Sequence, residues 1–577
     1  MTGPITQNRS IKSLEIAARW PGADRATMVT LATRLAAARA DAEGYRYFSE
    51  LAAARPGEVL PLTLAGFFQA RLGEDVDAAL AKLDQAAAAD LGLPQYFRGL
   101  ALAGLPPDRG RAQQAVADLE FVLAVRDQFP PMLLRAVHHG LTVAYAVLGQ
   151  DEQATEAGRK SGLGAAPADT RLMFTGFWAT AQDGFRFTSP RILRPEPGIQ
   201  IAQGYDFSDL AFVTTSDGVV AIDAGTAEDR VKAALGDLDL PADAAISHLI
   251  LTHAHWDHTG GAGVLRGPGT QVIAHAGFPA GHDQQQGERP LFRYFTGAAG
   301  EIPPAVAPDQ LISEPTSLTV GGTEIVLYPT PGGETSDALM VHLPASGVLF
   351  AGDVIMPYLG QPFGSEGSPE GLLETLAFIG RLQPRLLLQG HAALTEFFTA
   401  EAVAGLEAAL IQLHGEVLDA IRGGQTLPSI LAEASLPAVL RDHPAAVVPY
   451  LVIRDHFTER LYHQRTGYWQ PDGRGLDPAT AAEHAAALDL LAGGSAERFA
   501  AAAATLLGQG DYGLAPGDNP AGPAAPPRQQ HPDRAAPHRT APPYGAVPAV
   551  RPVQVPDLRR AGRRRARPSG VAAPAGP

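Results

Sequence analysis

Four potential metal ligands follow one short apolar run in this chain. His253, His255, Asp257 and His258 lie within six residues, directly after the run 248–252. The apolar run predicts a buried strand, so the ligands occupy the loop at its end. Imidazole and carboxylate groups suit a borderline metal such as zinc. Four ligands on one turn cannot all face one ion, so we predict that His253 and His255 share one metal while Asp257 and His258 face a second.

The pattern H-x-H-x-D-H, followed here by Gly260 and Gly261, resembles the metallo-β-lactamase superfamily, and the resemblance covers roughly residues 195–400. The chain has no cysteine, which excludes disulfides, thiolate-bound metals and cysteine nucleophiles, so any metal must be held by His, Asp and Glu. The resemblance implies an αββα sandwich whose remaining ligands stand at the ends of later strands.

Three later residues match those positions. Asp353, after the predicted strand 348–351, resembles the carboxylate that bridges the two metals, and His391 resembles the histidine that completes the second site. Asp223, which ends the predicted strand 219–223, resembles an aspartate that lies beneath the metal loop and supports a ligand. For Asp223 alone, a turn-forming structural role explains the residue equally well.

Glu334 distinguishes a subfamily. Most superfamily members have a histidine after the Pro-Gly turn, whereas this chain has Glu334 after Thr330-Pro-Gly-Gly, which resembles the class III alkylsulfatases. The resemblance implies two Zn²⁺ per chain, held by the following sets: His253, His255 and Glu334 for one ion, Asp257, His258 and His391 for the other, with Asp353 as the bridge.

The segment 287–294 resembles an alkylsulfatase helix beside the active site. It implies that Arg289, Arg293 and Tyr294 bind the substrate, because guanidinium groups match a sulfate-like anion in geometry. Surface arginines without a binding role are the alternative interpretation.

A series of short motifs after the metal domain also resembles the alkylsulfatases. The motifs run in order from Arg454-Asp455 through 461–469, 476–478 and 492–494 to 510–512. They resemble the helical dimerisation domain of that family, which implies a homodimer.

The resemblance is incomplete at the proposed sulfate pocket. The family usually has Glu where Asp353 stands, followed closely by Asn and His, and the segment 354–358 has neither. The first hypothesis is therefore hydrolysis of an amphiphilic alkyl sulfate ester by metal-activated water, with Asp257 or Glu334 as proton acceptor. The second is an esterase, thioesterase or lactonase of the same fold. The third is a non-catalytic helical-repeat scaffold.

The sequence divides into four segments. Residues 1–170 are helical and weakly tetratricopeptide-like, with a plain bundle as the alternative, a polar lead over 1–24 and a helix predicted at Thr30–Ala42. Residues 171–400 alternate between strands and helices and form the predicted catalytic domain. Residues 401–515 return to helix, and 516–577 form a predicted disordered tail rich in Pro and Arg. We attribute this tail to a shifted reading frame between about 513 and 525, and a natural disordered tail is the alternative explanation.

Net charge and hydropathy argue against nucleic-acid binding and against a membrane span. The formal charge of −16 argues against a nucleic-acid binder that relies on phosphate contacts. We find no run of 18 apolar residues and no signal-peptide pattern at the start, so we expect no membrane span and a cytoplasmic protein. The expected partner is a small-molecule substrate.

Overall fold

The structure is a computed structural model, and the described residues fall into the following ranges: 4–73, 75–126, 129, 131–161, 178–180, 184–186, 190–241, 245–287, 306–330, 332–357, 367–433, 435–467, and short stretches between 490 and 505. The predicted tail and most of the segment 468–515 lie outside them.

The amino-terminal region consists of consecutive helices that pack on their neighbours along the chain. Their bounds are α1 Pro4–Ala18, α2 Arg25–Ala37, α3 Asp41–Ala54, α4 Val59–Leu72, α5 Val76–Ala89, α6 Leu93–Gly104, α7 Arg109–Ala124, α8 Pro131–Leu148 and α9 Asp151–Ser161. Their core is aromatic, with the rings of Phe48 and Phe68 stacked at 5.8 Å. The side chains of Asp75 and Asp108 accept hydrogen bonds from the first turns of α5 and α7 and cap these helices.

Within the polar lead at 1–24, Pro4–Ala18 form helix α1, and Leu14 of this helix is completely buried. One sequence expectation is wrong in this region. The helix predicted at Thr30–Ala42 ends at Ala37, where Arg39 adopts a left-handed φ of 53° and the chain turns into α3. Spacing of apolar residues did not reveal this break, since alanine occurs on both sides of it.

The middle region contains a two-stranded hairpin and two larger sheets. The hairpin pairs β1 Trp178–Thr180 with β2 Gly184–Arg186. The seven-stranded sheet runs, in spatial order, β3 Arg191–Glu196, β4 Ile199–Gln203, β5 Leu210–Thr215, β6 Gly218–Ile222, β7 Ile246–Ile250, β8 Gln271–His275 and β9 Gln310–Ile312. The five-stranded sheet runs β10 Thr316–Val320, β11 Thr323–Thr330, β12 Ala338–Leu343, β13 Val348–Phe350 and β14 Leu386–Leu388.

The two sheets pack face to face with helices outside them. Val220 and Ile250 of the first sheet share one apolar cluster with Leu339 and Phe350 of the second. The opposite face of the first sheet packs on α10 Glu228–Asp237 and α12 Ala262–Leu265. The opposite face of the second sheet packs on carboxyl-terminal helices. This αββα arrangement between two helical regions confirms the predicted fold class for the described residues.

The remaining helices lie around and after the sandwich. They are α11 Trp256–Thr259, α13 Phe278–Gly287, α14 Pro369–Leu382, α15 Ala392–Phe397, α16 Ala400–Arg422, α17 Leu427–Ala432 and α18 Val447–Thr466. Buried Arg454 of α18 donates hydrogen bonds to the carbonyls of Ile430 and Glu433 at the end of α17, which fixes the two helices together. None of the described helices is both long and apolar enough to cross a bilayer.

Candidate metal centre

The predicted ligands stand at one edge of the sandwich because the strands that carry them end there. In the first sheet β6 and β7 are parallel, and in the second β13 and β14 are parallel. Asp223 follows β6, and the histidine loop follows β7. Asp353 follows β13 and His391 follows β14. Parallel neighbours place their carboxyl ends together, so residues distant in sequence meet at this edge.

Glycines allow the histidine loop to lie close to the turn after β6. The Gly260 amide donates to the Gly225 carbonyl at 2.8 Å, and the Gly261 amide donates to the Ala224 carbonyl at 3.0 Å. A Cβ atom at Gly260 would overlap the Thr226 carbonyl, so any other residue would push the loop outwards. This is the physical reason for the two glycines after the H-x-H-x-D-H pattern.

Glu334 lies against two of the histidines. Its Oε2 atom is 3.4 Å from His253 Nε2 and 3.4 Å from His255 Nδ1. The three side chains are buried, and their ligand atoms all lie within 4.8 Å of one another. They form a triangle of two imidazoles and one carboxylate that can surround a single ion.

A second group lies beside the first. His391 Nε2 is 3.3 Å from Asp257 Oδ2 and 2.9 Å from Asp353 Oδ2. His258 Nε2 is 3.4 Å from the same two carboxylates. Asp353 also shares a cluster with His253 and His258, so its carboxylate lies between the two groups. All seven side chains that the sequence singled out as ligands are therefore close together.

Hydrogen bonds fix the orientation of three imidazole rings. His258 Nδ1 lies 2.8 Å from Asp223 Oδ2, and His391 Nδ1 lies 2.9 Å from the Phe207 carbonyl. A carboxylate or carbonyl oxygen can only accept, so each Nδ1 carries the proton and each Nε2 faces the cluster. The Thr252 hydroxyl donates to Asp223, so it accepts from His253 Nδ1 at 3.1 Å and orients that ring likewise.

Asp223 supports the cluster from beneath. Besides His258, it accepts hydrogen bonds from the Thr252 amide and hydroxyl, both at 2.8 Å. Its φ of 61° is in the left-handed region, which Asp tolerates better than most residues. The turn geometry and the contact to His258 therefore occur together, and the two interpretations of Asp223 do not exclude each other.

The donor set has unsatisfied atoms that a cation would satisfy. His253 Nε2, His258 Nε2, Glu334 Oε2 and Asp353 Oδ1 are buried and have no hydrogen-bond partner among the described residues. Buried polar atoms without partners are costly, so such a convergence needs an explanation. Imidazole and carboxylate donors at these spacings fit zinc, which makes a metal the simplest explanation.

The electrostatics of the metal-free site are those of mutually paired ions. Burial alone would raise the pKa of Asp257, Asp353 and Glu334, but the neighbouring histidines outweigh it and lower all three. Burial would likewise lower the pKa of His258 and His391, but the carboxylates around them raise both well above the usual value. The three carboxylates are therefore ionised at neutral pH.

The sequence did not reveal the loop 204–209, which joins β4 to β5 and contacts both ligand-bearing loops. The Phe207 carbonyl accepts from His391, the Ser208 hydroxyl donates to the Asp257 carbonyl, and the Asp209 amide donates to the Gly390 carbonyl at 2.7 Å. All three contacts use main-chain carbonyls as acceptors, which no side-chain motif signals. The predicted substrate-binding residues Arg289, Arg293 and Tyr294 lie outside the described residues.

Comparison with known proteins agrees with the predicted superfamily. Residues 204–391 match the family model of the metallo-beta-lactamase superfamily. Among solved structures, the sec-alkylsulfatase Pisa1 from Pseudomonas sp. is 19% identical with a TM-score of 0.46, and the match covers 56% of this chain and 58% of that one. A double mutant of Pisa1 is 17% identical, with a TM-score of 0.45 and the same coverage. A metallo-beta-lactamase from Pontibacter korlensis is 18% identical with a TM-score of 0.27, over 35% of this chain and 91% of that one.

The chain thus spans little more than half the length of the alkylsulfatase that it resembles. The family match covers the sandwich from the loop after β4 to His391, which includes every predicted ligand. This match identifies residues 204–391 as a domain of the metallo-β-lactamase superfamily of metal-dependent hydrolases, as the histidine motif predicted.

Proposed function

We propose that this chain is a dinuclear zinc hydrolase that cleaves alkyl sulfate esters. One observation carries the proposal: seven buried imidazole and carboxylate groups converge, and four of their ligand atoms have no hydrogen-bond partner among the described residues. With His253, His255 and Glu334 around one ion, Asp257, His258 and His391 around the other, and Asp353 between them, every group in the cluster is used.

Charge supports two ions rather than one. Asp257, Glu334, Asp353 and the supporting Asp223 bring four carboxylates into a buried region. Buried charge is costly unless it is neutralised, and two divalent cations supply four positive charges. A single ion would leave half of this charge to be balanced by protons on the histidines.

The protein's own groups orient the reaction. Bound zinc would lower the pKa of water to about 7 and polarise the ester. Asp257 and Glu334 are ionised at neutral pH, so either carboxylate can accept the proton as water attacks. Asp223 and the Phe207 carbonyl hold the rings of His258 and His391, so these ligands need little reorganisation.

The substrate class rests on sequence resemblance. Glu334 in place of the common histidine, and the motif series that begins at Arg454, resemble the alkylsulfatases. A second candidate, an esterase, thioesterase or lactonase, is favoured by the side chains after Asp353. Val354, Ile355 and Met356 are apolar and buried, so this side of the site lacks the polar groups expected for sulfate.

A substrate panel tests the proposal. Zinc-loaded protein is assayed with dodecyl sulfate, a long-chain acyl thioester and a lactone, with His391→Ala as the inactive variant. His275→Ala is the matched control, since His275 is a half-buried histidine of the same domain outside the cluster. We expect sulfate release from dodecyl sulfate that His391→Ala abolishes. Turnover of only the thioester or lactone would favour the second candidate, and no turnover would favour a scaffold.

We further propose that residues 401–515 pair two chains into a homodimer, as the motif series implies. Light scattering at micromolar concentration tests this directly. A mass of about 121 kDa, twice the 60.4 kDa of the chain, is expected. A monomer would refute the dimer without affecting the metal site.

A further inference from the structure

The loop 204–209 places an aromatic ring directly beside the metal cluster. The centroid of the Phe207 ring is 4.7 Å from that of the His391 ring, and the two planes are inclined at 57°. On its other side, Phe207 stacks on Trp256, with 6.0 Å between the centroids and 7° between the planes. Trp256 is itself part of the histidine loop, so two rings extend along one side of the site.

The two rings differ in exposure. Trp256 is buried, with 8% of its surface exposed, whereas Phe207 is only half-buried. Phe207 therefore presents apolar surface to solvent at a position next to a candidate metal ligand. The rest of the cluster is ionic, so this ring is a local apolar surface in a polar site.

The loop that carries the ring is fixed at several points. The Phe207 amide donates to its neighbour Asp206 at 2.7 Å, and Asp206 also accepts from the Thr226 amide at 2.7 Å. The Phe207 carbonyl is bonded to His391, and the adjacent Ser208 hydroxyl to the Asp257 carbonyl. Because several hydrogen bonds hold this backbone, little conformational entropy is lost when a ligand packs against the ring.

We propose that the Phe207 ring, stacked on Trp256, is the contact surface for the apolar chain of the substrate and sets the preference for chain length. An ester whose charged end lies at the cluster must direct its chain along one wall of the site, and this ring is adjacent to His391. The inference rests on the proposed function, because it concerns the apolar part of the same substrate. Phe207 is a specificity-determining residue in this account, and its carbonyl separately positions His391.

Binding of alkylphosphonates to the zinc-loaded protein tests the inference without turnover. Methylphosphonate and octylphosphonate share the anionic group and differ only in the chain. We expect Phe207→Ala to weaken octylphosphonate binding about tenfold and methylphosphonate binding by less than about twofold, because only the long chain reaches the ring. Phe207→Leu should recover part of the loss. Phe378→Ala is the matched control, a half-buried ring whose aromatic partner is Tyr328.

Zinc content is measured for each variant, so a folding defect is recognised. Should Phe207→Ala lose zinc, Phe207→Leu alone carries the test, with an expected loss of about threefold confined to octylphosphonate. Equal losses for both ligands would show a purely structural role and overturn the inference, as would no loss at all. A wild-type protein that cleaves none of the esters but binds octylphosphonate in a Phe207-dependent way would refute the proposed hydrolysis, while it would support Phe207 as the surface that contacts an apolar chain.

Discussion

Asp223→Asn is the substitution that most directly tests how the protein supports its ligands. Asp223 accepts hydrogen bonds from the Thr252 amide, the Thr252 hydroxyl and His258 Nδ1, each at 2.8 Å. Asn keeps the size and tolerates the φ of 61° at this position, so the backbone should be preserved. The new amide group, however, brings two donors to a place where all three partners donate, and it removes a negative charge.

The expected loss follows from those contacts. A hydrogen bond to a charged group contributes about 1.5–3 kcal/mol, and at least one of the three must be lost. Substitution of such a supporting residue typically weakens metal binding about 10- to 100-fold, which corresponds to about 1.4–2.8 kcal/mol. We therefore expect zinc affinity to fall by that factor, and the ion held by Asp257, His258 and His391 should be the first to be lost.

Competition with a chromophoric chelator measures the affinity. Asp237→Asn is the control, because Asp237 is an exposed aspartate of the same domain that accepts from the Tyr205 hydroxyl at 2.6 Å. Zinc affinity of Asp223→Asn within twofold of the wild type, with the control also unchanged, would refute the idea that Asp223 holds His258 for the metal.

Three further predictions follow from the contacts. Gly260→Ala should lower the free energy of unfolding by about 3 kcal/mol, since its Cβ would overlap the Thr226 carbonyl. The control Gly236→Ala places its Cβ in open space and should not destabilise the protein. Thermal unfolding distinguishes the two variants. Arg454→Met should lower the free energy of unfolding by about 3 kcal/mol, because it leaves the α17 carbonyls without a donor. The control Arg465→Met, at an exposed arginine, should lower it by under about 0.5 kcal/mol. Similar losses for the two variants in urea denaturation would contradict this prediction. The metal-free protein should lose stability as pH rises above about 6.5, because the raised pKa values of His258 and His391 stabilise the fold only while these rings are protonated. It should also lose stability as pH falls below about 4, because the lowered pKa values of Asp257 and Asp353 stabilise the fold only while these carboxylates are ionised. Urea denaturation of chelator-treated protein at pH 3, 5.5 and 8 checks this, and equal stability at pH 5.5 and 8 would contradict it.

Much of the site could be predicted because its chemistry depends on side-chain type at strand ends. His253, His255, Asp257 and His258 follow an apolar run, and the structure places residues 248–250 of that run in β7, which begins at Ile246 and ends at Ile250. Glu334 was found by resemblance alone, since a single glutamate after a turn has no spacing signal of its own. Its distance of 3.4 Å from two histidines depends on how β11 and β12 cross the sandwich, which only the tertiary fold determines.

What the sequence missed depends on main-chain contacts and on tertiary packing. The Phe207 carbonyl that orients His391 belongs to a loop 184 residues away in sequence, and any residue at that position offers a carbonyl. Helix α1 was not located within the polar lead because its composition is polar, although Leu14 packs into the common core. In both cases the interaction is determined by distant parts of the chain rather than by local pattern.

Zinc stoichiometry tests the central claim of two metal ions most directly. The wild-type protein, saturated with zinc and freed of excess, is analysed by inductively coupled plasma mass spectrometry beside Glu334→Ala and the control His275→Ala. We predict about two zinc ions per chain for the wild type and the control, and close to one for Glu334→Ala, which removes a ligand from one ion only. A wild-type content of one ion per chain or less, or a content that Glu334→Ala leaves at two, would contradict the dinuclear site.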